Sequence, residues 1–424
     1  MMTKIISLKE WDSIVLDGIE LSDNSARNLA KVLTGKGILE IIEIRGGLSI
    51  KSNSYVGIVK LGDLQINVNP KIKGLPLYQL LRYAYGLRDL KLFNTAKHNV
   101  GNFSFFDLLI YELYVEAEDL IQRGLQKSYI KEEECLSSPR GRIDMNKLCA
   151  QGGLIKDTLP CRYFARDEDN ILNQILLSGL RLGLKLVMDD ELKFSLQRLI
   201  SYLKENVCDI ILTRTSLNRA WNSINRLTER YSSILRIIKI LYESQGIQLE
   251  DGLSSIDLNG YFFDMNAFFE TLIGRLLEDF GGGFSVKCQY SLHDMFTYVA
   301  EFNPRLKKSP TPRPDFAIIK HGKVIKLIDA KYRDLWHDDL PREMLYQLSV
   351  YAVSGIGNKT STILYPATSD IPTIQKIDIN DPVSGSKIAS IILQPVNLIK
   401  IAELIIDESR RYELMNYIDE VVWS

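Results

Sequence analysis

The sequence predicts a multidomain α+β protein with a small β-rich N-terminal module, a mainly helical middle region and a C-terminal α/β domain. Three observations carry that prediction. The chain has 424 residues, more than one ordinary core holds. Its apolar period changes from that of strands to that of helices near Phe103. Beyond about residue 260, helical and extended patterns alternate, as in a sheet covered on both faces. The expected boundaries are 1–102, 103–255 and 256–424.

Within the first part, "ILEIIEIRGG" and "YVGIVKLGDLQINVNPKI" alternate apolar and polar residues, punctuated by Gly57, Gly62 and Asp63, and Asn69-Pro70 closes the module. The middle opens on a long amphipathic helix, "FSFFDLLIYELYVEAEDLIQRGL", ending near Gly124. An extended hairpin or loop excursion follows and returns into a second helix through "CRYFARDEDNILNQIL". Two more helices are expected at about 190–206 and 215–244. In the last part the expected order is a helix at 264–280, strands at 284–290 and 296–302, a hairpin around Gly322, a helix at 341–354, the strand "TSTILYP", further strands, and a terminal helix from about 397.

Composition narrows the function classes. With 46% hydrophobic and 25% charged residues the chain is globular in type, and it has no apolar run long enough for a membrane span. "MMTKIISLKEWDS" lacks a signal-peptide core, and five scattered cysteines form no C-x-x-C pair, so a reduced, cytoplasmic setting without zinc or disulfides is expected. The net charge of −1 lacks the basic surplus of a protein that holds DNA alone. Either DNA is not the partner, or another chain supplies much of the grip.

The stretch "RPDFAIIKHGKVIKLIDAKYRDL" at 313–335 carries the chemistry. Taking Lys320-His321-Gly322 as a three-residue turn, with Gly322 at positive φ, puts Asp315 opposite Leu327. Asp315, Asp329 and Lys331 then share one face, whereas a plain two-residue turn separates the carboxylates. Both faces are otherwise apolar. Two carboxylates gathered there call for a divalent cation, and Mg²⁺ suits Asp315, Asp329 and the Ala330 carbonyl. Lys331 is placed to orient or deprotonate a water and to offset charge in phosphodiester hydrolysis. The competing reading is an ordinary hairpin salt bridge between Asp329 and Lys331 on a solvated face.

Supporting residues are candidates of the same site. Glu270 lies at the margin of an apolar helical arc, from which it either reaches a metal or turns to solvent. Gln347 and Tyr351 stand one turn apart beside an apolar face, as site residues or as ordinary surface polars. The approach "NPRLKKSPTPRPD" offers Lys307, Lys308 and Arg313 to a phosphate backbone, with Arg333 beyond the hairpin; a solvated loop is the alternative. In "SPRGRID", Arg140, Arg142 and Asp144 either reach a partner or latch internally onto Asp167, Glu168 or Asn170.

Glu270, Pro314-Asp315, Asp329-Ala330-Lys331, Gln347-x-x-x-Tyr351 and the following "ILYP" resemble the PD-(D/E)XK (restriction-endonuclease-like) nuclease core in its RecB-like form. Together with "YVGIVKLGDLQINVNPKI", "LLRYAYGL", "SPRGRIDMNKL" and "CRYFARDEDNILNQIL", the chain is similar to the McrC family, the nuclease subunit of McrBC modification-dependent restriction systems.

That resemblance implies a Mg²⁺-dependent endonuclease (Mn²⁺ as substitute) acting on double-stranded DNA containing methylcytosine. Asp315 and Asp329 would be ligands, Lys331 catalytic, and Glu270, Gln347 and Tyr351 in support. It implies docking of the N-terminal and middle regions onto a hexameric McrB-like AAA+ GTPase that this chain stimulates, with GTP bound by the partner. In agreement, no P-loop occurs: "GIGNKTST" has Asn358 where a glycine is required and leads from helix to strand. A non-catalytic activator of an NTPase ring and a stand-alone RecB-like nuclease are the rival expectations.

Overall fold

A computed structural model describes residues 4–21, 23–87, 104–150, 157–244, 260–281 and 283–423. The chain forms two compact units, one made of Met1–Phe105 with Gln245–Ser424 and the other of Phe106–Ser244. Each is described separately.

The N-terminal part of the first unit contains β1 (Lys4–Lys9), β2 (Ser13–Asp17), α1 (Asn24–Gly35), β3 (Leu39–Ile44), β4 (Gly47–Ser52), β5 (Tyr55–Leu61), β6 (Leu64–Asn69) and α2 (Gly74–Ala84). Asp23 caps α1 by accepting from the Ala26 amide. Leu33, Leu39, Leu48, Ile50, Val59 and Ile66 form its core, the alternate apolar positions of the strands closing on the apolar stripe of α1.

The second unit starts with α3 (Phe105–Arg123) and continues through β7 (Ser128–Leu136), β8 (Arg142–Ile143), α4 (Met145–Ala150), β9 (Leu159–Asp167), α5 (Ile171–Leu186), α6 (Asp190–Leu203), α7 (Arg214–Asn222) and α8 (Tyr231–Glu243). The excursion is a long antiparallel ribbon of β7 and β9, with β8 on the other edge of β9. Buried Asn173 ties the base of the ribbon to the helices, donating to the carbonyls of Gln126 and Glu168 and accepting from Tyr231. The single helix expected at 215–244 is two. Between α7 and α8, Asn225 turns the chain by accepting from the amides of Leu227 and Thr228, an alternative that competes with helical pairing.

The chain returns to the first unit with β10 (Gly260–Asp264), α9 (Met265–Phe280), β11 (Ser285–Cys288), β12 (Phe316–Lys320), β13 (Lys323–Ala330), α10 (Arg342–Val353), β14 (Thr360–Ala367), β15 (Gln375–Asn380), β16 (Lys387–Asn397), α11 (Leu398–Ile406) and α12 (Arg411–Trp423). Strand β10 pairs antiparallel with β5, completing the N-terminal sheet in the order β1-β6-β5-β10. The expected separation of 1–102 from 256–424 therefore does not hold: the two segments share a sheet. Gly57 makes this possible. A Cβ there would lie 1.8 Å from the Tyr261 carbonyl oxygen.

The larger sheet runs β11-β12-β13-β14-β16-β15, with β13, β14 and β16 parallel at its centre. On one face Leu348 and Tyr351 of α10 pack with Ala317, Leu327, Ile363 and Ile391. On the other, Phe316 meets α9 at Gly274, where an added Cβ would be 3.1 Å from the ring. Two expected elements differ. Residues 296–302 are not a strand: their last three form a 3₁₀ turn, Ala300–Phe302, and Pro304 with the Asn303 side chain turns the chain beyond it. The terminal helix is divided between α11 and α12 at Asp407, whose carboxylate accepts from the Ser409 amide.

Candidate active site

The hairpin reaches the expected convergence by a different route. Lys320 pairs with Lys323, so the turn has two residues, His321 and Gly322, with φ of 50° and 75°. Both being positive is the requirement of a tight hairpin turn whose twist suits the strands. Alone, that turn would put the carboxylates on opposite faces. A bulge corrects it: Ile319 pairs with Val324 but Ile318 pairs with Lys326, leaving Ile325 as the extra residue. The register beyond the bulge sets Phe316 against Ile328, and its continuation sets Asp315 against Asp329.

At the strand ends, Asp315 Oδ2 accepts from the Ala330 amide at 2.9 Å, and Lys331 Nζ lies 3.4 Å from Asp315 Oδ2 and 2.9 Å from Asp329 Oδ2. Both carboxylates are buried, Asp329 at 1% exposure. Burial, and then the neighbouring Asp315, push the Asp329 carboxyl up to about 7. Burial pulls the Lys331 ammonium down, but Asp329 and Asp315 together hold it above its usual value. It is a hydrogen-bond donor and a fixed positive charge.

Asp329 Oδ1 is buried with no hydrogen-bond partner. An orphaned carboxylate oxygen beside a second carboxylate and the Ala330 backbone fits a small hard cation that takes oxygen ligands and keeps waters. Among the described residues, no group of three or more His, Cys, Asp or Glu side chains is arranged to hold a metal. Glu270 stands back from the pair. Its Oε1 accepts from Gln289 Nε2 at 2.6 Å, and the same Nε2 is 3.2 Å from Asp315 Oδ1. Burial and then Asp315 raise the Glu270 carboxyl.

Gln289 is the residue that sequence reasoning missed. It directly follows the short edge strand β11 in a left-handed conformation, φ 49°, and nothing in its neighbours marks it as polar-inward. Gln347 donates to Tyr351 at 2.7 Å, and buried Tyr351 is pushed up to about 12 by burial and by the nearby site carboxylates. Lys307, Lys308 and Arg313 are exposed on the segment before Asp315. Arg333 instead lies over the Trp11 ring, 5.0 Å from its centroid.

Tyr332, next to Lys331, has all its polar groups held. Its amide donates to Asn266 Oδ1, its carbonyl accepts from Trp11 Nε1, and its hydroxyl donates to Glu10 Oε1, at 3.0, 3.0 and 3.3 Å. Two of those partners come from the N-terminal segment, and Asn266 is held in turn by Ser54 at 2.7 Å. Glu10 is fully buried, and burial pushes its carboxyl up to about 7.

In the middle unit the "SPRGRID" segment closes on β9. Arg140 stacks on Tyr163 at 4.3 Å, and buried Asp144 pairs with Arg162. This is an internal latch, on partners other than the expected Asp167, Glu168 and Asn170. Glu168 pairs with Lys127 instead. Arg142 lies in β8 opposite Arg162.

Fold and site together define a mixed α/β protein with a buried Asp-Asp-Lys cluster at the ends of neighbouring strands, next to a helix that carries a carboxylate. The sequence matches the family described as McrBC 5-methylcytosine restriction system component over residues 50–366, and the chain belongs to that family. No curated relative matches significantly. Among solved structures, the chain is similar to one in a refined half-complex from a tetradecameric assembly of Thermococcus gammatolerans McrB AAA+ hexamers with bound McrC. The identity is 19%, with 99% of this chain and 100% of that chain covered and a TM-score of 0.67, which establishes a shared fold. A second match, to a chain in a cryo-EM structure of the Thermococcus gammatolerans McrBC complex, has 20% identity, coverage of 66% and 88%, and a TM-score of 0.49. No described helix is long and apolar enough to cross a membrane.

Proposed function

We propose that this chain is the DNA-cleaving subunit of a restriction system directed at methylcytosine-containing DNA, a Mg²⁺-dependent endonuclease of PD-(D/E)XK type. The carrying observation is the convergence of Asp315, Asp329 and Lys331, with the second oxygen of Asp329, Oδ1, buried and unpartnered. A structural salt bridge has no use for a second buried carboxylate and an unpartnered oxygen, whose desolvation is costly.

Asp315, Asp329 and the Ala330 carbonyl would hold the cation, with Glu270, linked to Asp315 by the shared Gln289 Nε2 donor, reaching it through a water. The bound cation supplies charge for the phosphoryl oxygens and lowers the pKa of a water. Lys331, kept charged by both carboxylates, donates a hydrogen bond to the attacking water or to a phosphoryl oxygen and offsets transition-state charge. Gln347 and Tyr351, bonded to each other on α10, form the wall of the site on that side. Mn²⁺ would serve by the same oxygen chemistry.

The partner in this reading is an AAA+ GTPase hexamer of the McrB kind, which binds GTP and is stimulated by this chain. Full-length likeness to a chain from an assembly of McrB hexamers with bound McrC supports it, as does a net charge of −1 that leaves much of the DNA grip to another subunit. The test is Mg²⁺-dependent cutting of cytosine-methylated plasmid by the chain with its GTPase, wild type against Asp329→Ala, with GTP hydrolysis followed in the same tubes. Lost cutting with retained GTP turnover is expected. Unchanged cutting would leave the chain as a non-catalytic activator of the ring.

A further inference from the structure

The segment between β11 and β12 is a built protrusion. Backbone bonds close its base, Leu292 to the Pro312 carbonyl at 2.9 Å and Tyr290 to the Pro314 carbonyl at 3.1 Å, and Leu292 is anchored in the core beside Ala317. Its far end is also held: the Asn303 side chain both donates to and accepts from the Lys307 backbone at 2.9 Å, and the Leu306 amide donates to the Asn303 carbonyl. This ordering displays apolar groups. Phe302 is 81% and Leu306 87% exposed, and Leu306 sits at φ 48°, where leucine is strained.

A single exposed apolar side chain needs no explanation. Two on one hydrogen-bonded tip, one of them strained, interleaved with Arg305, Lys307 and Lys308 and rooted at Asp315, do. We infer that the Phe302–Leu306 tip is a wedge for duplex DNA, its cations binding phosphates while the two apolar side chains enter the base stack beside the scissile bond. The inference rests on the nuclease reading above and adds to it the element that deforms the substrate. Apolar wedges flanked by cations unstack base steps and kink the duplex, and here the charge of the tip complements DNA.

Photocrosslinking in the assembled complex tests it. The full chain carries p-benzoylphenylalanine in place of Phe302, together with Asp329→Ala to prevent cutting, and is irradiated with its GTPase and end-labelled methylated duplex. Label joined covalently to this chain is expected. A crosslink to the partner or to a second copy, or none at all, overturns the wedge. In parallel, Phe302→Ala combined with Leu306→Gly should slow cutting about tenfold, with GTP hydrolysis unchanged and melting temperature no lower than wild type, and Phe302→Trp should cut within about twofold of wild type. Wild-type cutting by the double variant overturns the proposal. Cutting that depends on Asp329 without a DNA crosslink sinks the wedge alone, whereas cutting that persists in Asp329→Ala sinks the nuclease reading beneath it.

Discussion

Lys326 within strand β13 and Lys331 just beyond its end stand in different surroundings, and those surroundings drive them in opposite directions. Lys326 is buried, donates to the Val422 carbonyl at the end of α12, and is pushed down to about 8 by burial. Lys331 is partly buried too, yet its ammonium is raised because Asp329 and Asp315 outweigh the desolvation. Enclosure alone weakens a lysine's hold on its proton, while paired carboxylates strengthen it. Only the second arrangement suits the phosphoryl chemistry proposed above.

Breaking the charged face has the largest expected effect. Asp329→Ala removes the orphaned oxygen and one carboxylate, and single-turnover cutting should fall at least about 10³-fold, since a lost cation is worth several kcal/mol. Lys331→Ala should cost about 10²–10³-fold, as for other lost transition-state donors, while GTP turnover stays. Cutting at wild-type rate by either variant would reduce the cluster to scaffold.

The opposite face should respond in stability alone. Because the folded pKa of Lys326 lies below its ordinary 10.5, the folded state binds fewer protons than the unfolded state between about 8 and 10.5. Stability therefore rises with pH across that window, and the cost of the buried ammonium is fully present below about 8, at most roughly 3 kcal/mol. Lys326→Met should flatten that rise in urea titrations, match or exceed wild-type stability at pH 7, and leave cutting unaltered. A drop in cutting would mean the two faces are coupled.

Smaller effects sharpen the picture next to the cluster. Tyr332→Phe deletes the hydroxyl bond to buried Glu10 and should lower unfolding free energy by about 1–2 kcal/mol, with less than about a tenfold loss of cutting. At the turn, His321→Asn suits the positive φ better and should change stability by under about 0.5 kcal/mol, with unaltered cutting. A large loss there would show that the turn does more than connect.

How legible was this from the sequence? The convergence of Asp315 and Asp329 was, because alternation on an apolar hairpin leaves few alternatives. The reason for it was not. The expected three-residue turn and the observed two-residue turn with a bulge give the same face, and Ile325 looks like any alternating apolar residue. Gln289 was invisible because its role comes from a left-handed backbone at a sheet edge. The break between α7 and α8 was missed because apolar periodicity outvoted the Asn225 turn. The partition of the chain was missed for a further reason: local patterns do not reveal that β5 takes its partner from a strand some two hundred residues later.

That late partner has a consequence for biosynthesis. When β5 leaves the ribosome, the edge meant for β10 stands open, and at 5–20 residues per second the closing strand arrives about 10–40 s later. The intervening segment, Phe106–Ser244, can fold as its own unit during that interval. Trp11 and Glu10 wait longer still for Tyr332. A truncated chain would thus be born with an unsatisfied sheet edge, a template for aggregation, and without its Asp-Asp-Lys cluster. Completion of the N-terminal sheet and assembly of that cluster are, in time, nearly the same event.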